Sequence, residues 1–163
     1  MQSAARQYSR GMTLMELMIV VVIVSILASI AIPSYVAQVR RGRRVEAKTA
    51  VLDLAGREER FLSTSVNGAN YSQTASELGY TALPVVLPSG YYNVTVCAVG
   101  PGMAVACPPS TQTAPGFTIT ATPVVGTTQD QDLQCKSFSV DNTGKQWATD
   151  STGADNTVYC WSN

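Results

Sequence analysis

Hydrophobic and polar positions divide this chain sharply. Residues 12–32 read MTLMELMIVVVIVSILASIAI, an apolar run with Glu16 as its only charge and no Gly or Pro. As a helix rising about 1.5 Å per residue, the run reaches roughly 30 Å, the hydrocarbon thickness of a bilayer. The helical pattern continues past Pro33. Across residues 34–62 an apolar stripe gathers Ala47, Ala50, Val51, Leu54, Phe61 and Leu62, with charges on the other side. Asp53 and Arg57 stand at i and i+4 and support the same helix. The pattern predicts one long helix, apolar all round in its first half and amphipathic in its second, where it needs a partner surface.

Beyond residue 62 the period changes. A Gly-, Asn- and Ser-rich connection over 63–90 holds the turn TASELGY, in which Thr74 and Glu77 have capping-box spacing. Strand patterns follow at 91–99, 117–122, 136–141 and 145–148, the last two joined by Asn142-Thr143-Gly144. Phe117, Ile119 and Ala121 alternate with threonines, which suits a sheet with one wet face. Pro108, Pro109, Pro115 and Pro123 punctuate the gaps, and there is no internal repeat. The expected class is α+β, a long helix packed on a small antiparallel sheet.

Composition narrows the function. With 163 residues, 17.3 kDa and 13% charged residues, the chain has room for one domain plus an appended element. Net charge is zero, so overall charge recruits neither nucleic acid nor anionic membrane. There is no histidine, which removes the usual general base and the commonest metal ligand. No nucleophile or phosphate-loop motif appears, and neither catalysis nor a cofactor is expected. The cysteines, Cys97, Cys107, Cys135 and Cys160, form no C-x-x-C pair, so two disulfides in an oxidising compartment are the default. Three pairings are open. Cys97 with Cys107 would close a Pro-Gly loop; Cys135 with Cys160 would close residues 136–159, worth roughly 3 to 4 kcal/mol in the chain-entropy model.

The apolar run is longer than a signal-peptide core and leads directly into more helix, so it reads as an anchor that stays attached. Arg6 and Arg10 precede it; Arg40, Arg41, Arg43 and Arg44 follow. Counting positive charge places the C-terminal side inside, whereas the cysteines place it outside, and the cysteines decide because the arginine cluster begins well beyond Pro33. A carboxylate in a span is a functional hypothesis by default, and Glu16 is one.

Gly11 followed by Met12-Thr13-Leu14-Met15-Glu16-Leu17 resembles the processing signal of type IV prepilins, in which a short basic leader ends in Gly and the fifth residue after it is Glu. Pro33-Ser34-Tyr35 falls where such pilins carry a helix-bending proline. The likeness extends through EAKTAVLDLAGREERFL, ELGY, GYYNVTV, GFTITATP, CKSFSVDNTGK and a terminal CW, and is nearest to minor pilins of the PilE and ComP kinds. The resemblance implies a leader (1–11) cut by prepilin peptidase between Gly11 and Met12, with the new amine of Met12 methylated. It implies a spanning and assembly half (12–33), an amphipathic half (34–62) and a disulfide-stapled head (63–163), together the type IV pilin fold. It favours Cys135–Cys160, with residues 136–159 as the exposed, partner-specific surface. The head would sit in the periplasm until the subunit leaves the inner membrane for an extracellular pilus. Other pilins, major and minor, and the inner-membrane assembly platform are the implied partners, and twitching motility and adhesion the implied roles. A DNA-uptake receptor of the ComP kind and a type II secretion pseudopilin are the alternatives.

In a filament core an unpaired carboxylate is strongly penalised, and the amine at Met12 of a neighbouring subunit is the nearest partner for Glu16; pairing fixes axial register. Two positions depart from the pattern: Met12 stands where Phe is usual, and Ser25 where Gly is frequent, so the helix should resist local melting there. The RRGRR arginines read as a solvated helix face. Over residues 61–163, Lys136 and Lys145 face Glu77, Asp130, Asp132, Asp141, Asp150 and Asp155, so the basic helix of one subunit is expected to meet the acidic head of the next. The same balance argues against nucleic-acid binding unless Lys136 and Lys145 share a stripe with Arg57 or Arg60. The Asp-containing loops at 130–132 and 150–155 lack EF-hand spacing, so no metal is expected.

Overall fold

A computed structural model describes residues 12–64, 70–100 and 115–162. The order of elements is α1 (Leu14–Thr64), β1 (Val85–Val86), β2 (Tyr92–Val99), β3 (Gly116–Pro123), β4 (Ser137–Asp141), β5 (Gln146–Thr149) and α2 (Thr157–Ser162). The expected α+β class holds. Contacts divide the chain into two compact units, Met1–Gln38 and Val39–Asn163.

In the first unit every described residue is helical from Leu14 on, including Pro33. Thr13 caps this helix, its Oγ1 accepting the N–H of Glu16 at 3.2 Å. Ser25 Oγ donates to the carbonyl of Val21 at 2.7 Å, filling its hydroxyl locally within an unbroken helix. The stretch is long and apolar enough to cross a membrane, and none of it is buried within the chain.

In the second unit the strands form one antiparallel sheet in sequence order, β1-β2-β3-β4-β5. The strands fall within one residue of the expected bounds; the two-residue β1 and the short α2 had no period to reveal them. Register follows the alternation in the sequence: Val94 opposes Ala121, Val96 opposes Ile119, and Ala121 in turn opposes Phe138. These residues, with Tyr92, Phe117, Val140 and Ala148, make the inner face, on which Ala47, Val51 and Leu54 of α1 are fully buried. Tyr71 meets Phe117 edge-on at 4.8 Å between centroids, closing the core from the α1–β1 connection. Between β4 and β5, Asp141 Oδ1 accepts the N–H groups of Thr143 and Lys145, and Gly144 supplies the positive φ (77°) that the turn requires.

The turn at 75–79 forms, but its capping differs from expectation. Ser72, rather than Thr74, supplies the hydroxyl: Ser72 Oγ donates to the Glu77 carboxylate and accepts the N–H of Thr74 at 2.9 Å. A residue two positions earlier therefore closes the box.

Candidate functional site

Two regions carry chemistry, and each is described within its own unit. In the first, Met12, Leu14, Met15, Leu17 and Met18 are all more than half exposed, surrounding Glu16 in the opening turn. Besides any intersubunit role, the carboxylate of Glu16 sits three residues after the Thr13 cap, where negative charge complements the helix dipole. Gly11 lies outside the described residues.

In the second unit the arginines of α1 are the main departure from expectation. Arg44 is 5% exposed, and its Nε and Nη2 donate to Oδ2 and Oδ1 of Asp132 at 2.7 and 2.9 Å. Asp132 is itself buried, accepts further hydrogen bonds from the Gln134 and Cys135 N–H groups at 3.3 Å, and receives Gln129 Nε2 at 3.1 Å. The same Gln129 nitrogen reaches Tyr92 Oη at 3.0 Å. Burial opposes the charge on Arg44, but the hydrogen bonds and charge of Asp132 outweigh it, and the guanidinium pKa is raised. Arg43 lies over the Tyr91 ring, 3.4 Å from its centroid, and donates to Thr128 Oγ1 at 2.6 Å; Arg40 reaches Gln131 Oε1 at 3.3 Å.

Three of the four arginines are thus not a solvated face: Arg40, Arg43 and Arg44 fasten α1 to the 128–132 loop of their own chain, and the carboxylate that Arg44 meets is intramolecular, while Arg41 is exposed. The carboxylates of 130–132 are consumed in the same way: Asp132 by Arg44, and Asp130 by Lys136 Nζ and the Gly126 N–H. Asp150 and Asp155 accept N–H and hydroxyl groups of Thr152 and Thr157, which holds both carboxyls below their usual pKa. No group suited to a metal ion occurs among the described residues.

Glu58 escaped the sequence reading altogether. It occupies the buried stripe of α1 with Arg44, Ala47, Val51 and Leu54, and is fully buried. Its Oε2 accepts the Ser72 N–H at 2.9 Å. Burial first, aided by Glu59 and Glu77, pushes its pKa up to about 7, against the opposing Ser72 bond. The signal was present in the spacing: 44, 47, 51, 54 and 58 step by three and four along one face. Nearby, Tyr71 Oη donates to Glu59, while Arg57 Nε binds Asp53 at 2.8 Å, stacks on Tyr80 and donates to the Leu78 carbonyl. Of the four cations considered for nucleic acid, Arg57 and Lys136 are engaged in ion pairs, while Arg60 and Lys145 are exposed.

Cys135 and Cys160 form a disulfide with Cα atoms 5.7 Å apart. Cys97 is also disulfide-bonded; its expected partner, Cys107, lies outside the described residues. The bracket 136–159 is not simply an exposed surface. It contains β4 and β5, whose Phe138, Val140 and Ala148 are core residues, while residues 143–146, 151–155 and Val158 are exposed.

A bare apolar helix continuing into a helix-on-sheet head stapled near its C-terminus defines the type IV pilin fold. The comparisons agree: a family model described as "Type IV minor pilin ComP, DNA uptake sequence receptor" matches residues 33–139, and one described as "Prokaryotic N-terminal methylation motif" matches residues 6–32. The chain belongs to this ComP minor pilin family of type IV pilins. It is also 43% identical over 72 residues to "Type IV major pilin protein PilA" of Myxococcus xanthus (strain DK1622), a match covering 44% of this chain and 31% of that protein.

Proposed function

We propose that the chain is made as a prepilin, is cut by prepilin peptidase between Gly11 and Met12, is methylated at Met12, and enters a type IV pilus as a minor, non-enzymatic subunit. Before assembly it rests in the inner membrane through residues 12–33, with the head in the periplasm. The carrying observation is the contrast between the units: the head buries its own core, while the apolar residues before Pro33 find no cover within the chain. Lipid first and neighbouring pilin helices later provide that cover, with Glu16 opposite the Met12 amine of the next subunit. Glu16→Ala should leave insertion and cleavage intact and lower incorporation into filaments. Normal incorporation with defective insertion sinks the pairing. Replacing Gly11 by a bulky residue should leave the N-terminus at Met1 by mass spectrometry.

The family description favours a second reading, a receptor for duplex DNA. Against it stand the excess of acidic residues over 61–163 and the engagement of Lys136 and Arg57 in ion pairs, which leave few phosphate contacts there. Titrating the head unit with duplex DNA at two salt concentrations separates the readings. We expect no binding at moderate salt; micromolar affinity that falls steeply with salt and is lost in Lys145→Ala would promote the receptor reading. Loss of pili, rather than of secreted enzymes, on deletion distinguishes a pilin from a secretion pseudopilin.

A further inference from the structure

The outer face of the sheet bears an open groove of about 430 Å³ that no assembly role explains. It falls within the roughly 300–1,000 Å³ typical of small-molecule clefts. Its axis can be read from the strand register. Thr95 opposes Thr120, Thr120 opposes Ser139, and Ser139 opposes Trp147, so one cross-strand row runs over β2, β3, β4 and β5. Neighbouring strands lie about 4.8 Å apart, so the row sets three hydroxyls at regular intervals, with Thr95 exposed, Thr120 partly exposed and Ser139 buried, and ends on an indole. Thr118 and Ser137 complete the floor with the disulfide-bonded Cys97.

From this row we propose that the groove binds a neutral oligosaccharide of two or three sugar units, with Trp147 as the stacking platform and Thr95 and Thr120 as the polar contacts. The chemistry of the lining selects the ligand. Among the described residues no charged side chain lines the groove, so a polyanion finds no counterion and a charged peptide no partner. Hydroxyl groups both donate and accept, as sugar hydroxyls do. Ser139 is nearly sealed from solvent and holds Thr120 Oγ1 at 2.9 Å, which fixes the partly exposed Thr120 hydroxyl in place. Thr95 Oγ1 is held likewise, donating to the Thr120 carbonyl at 3.2 Å. Threonine methyls and the partly buried indole supply the apolar surface that a sugar ring's C–H face needs. The platform's backbone is restrained from outside the groove: the Trp147 carbonyl accepts Trp161 Nε1 at 3.1 Å. Every contributing residue sits on a strand, so the site is preorganised and little entropy is lost on binding.

The test uses the head unit, Val39–Asn163, titrated separately with maltotriose, cellotriose and tri-N-acetylchitotriose, and followed by amide chemical shifts. At least one of these should saturate at roughly millimolar concentration or tighter, shifting resonances of Thr95, Thr120, Ser139 and Trp147. Trp147→Ala should weaken that binding at least about tenfold, the loss expected on removing a ring platform, without lowering the melting temperature. Should Trp147→Ala misfold, the shape-conserving Thr95→Val/Thr120→Val variant removes the polar contacts on an intact core and should weaken binding about as much. Three outcomes overturn the proposal: no response to any of the three sugars at ~10 mM, shifts confined to other faces of the head, or a folded Trp147→Ala that binds as the parent does. Shifts of the same residues with a single-stranded thymidine oligonucleotide, and not with sugars, would reassign the groove to nucleobase stacking.

Discussion

Arg44 and Asp132 face each other across the core boundary as a bidentate pair, both nearly sealed from solvent. The pair ties the first turns of the head's helix to the loop that precedes β4, and through Asp132 it also orders the backbone leading into Cys135.

Removing one partner leaves the other charge buried and unmatched. Arg44→Ala or Asp132→Ala should therefore destabilise the head by about 3–5 kcal/mol in urea unfolding. The Arg44→Met/Asp132→Leu double variant should lie much closer to the parent, because an apolar pair of similar volume avoids the desolvation of both ions.

Glu58 makes stability pH-dependent. Its carboxyl holds a proton in the folded state up to about pH 7, whereas 4.5 is the ordinary value, so between these the native state binds more protons than the unfolded chain. Stability is full below about pH 4.5 and declines as pH rises towards 7, by on the order of 3 kcal/mol in all. Asp150 and Asp155, held below 3.8 by their turns, act in the opposite sense, and their contribution is lost under more acidic conditions. Thermal melts should show a maximum near pH 4–5, and Glu58→Gln, which keeps an acceptor for Ser72, should flatten the neutral limb.

Deleting the disulfide by Cys135→Ser/Cys160→Ser should lower the unfolding free energy by roughly 3–4 kcal/mol, the value for a loop of this length. Both sulfur-bearing residues are buried, so reductant should act on the parent only as fast as the head opens. Comparing melting temperature with the rate of reduction checks both statements.

Ser25→Gly should loosen the first unit. Gly costs about 1 kcal/mol of helix stability relative to Ala and Ser less, and the variant also removes the bond to the Val21 carbonyl. Amide exchange in detergent micelles should speed up over residues 25–33 while exchange in the head stays unchanged.

The elements that were legible in the sequence are those with a sustained period. The apolar run before Pro33 and the alternation of Phe117, Ile119 and Ala121 each repeat often enough to name a helix or a strand face. What stayed hidden was charge placed against its usual preference. Arg44 and Glu58 belong to the apolar stripe by spacing, yet their side chains argued for solvent, because burial of an ionisable group is tolerated only with partners, and here the partners lie elsewhere in the sequence. Asp132 is 88 residues from Arg44, and the Ser72 N–H that meets Glu58 lies in a connection without period. The bracketed segment misled for a similar reason: a segment closed by a disulfide suggests a surface loop, but alternate residues of β4 face the core.

That alternation makes the disulfide-closed segment a replaceable jaw. Ser139 and Trp147 come from within it, Thr95 and Thr120 from strands outside it, while Phe138, Val140 and Ala148 point the other way into the core. Changes at one parity of this segment would retune what the outer face grips; changes at the other would unseat the fold. Variation within residues 136–159 can therefore alter ligand preference only along every second position, which gives this short stretch of chain a grammar as well as a boundary.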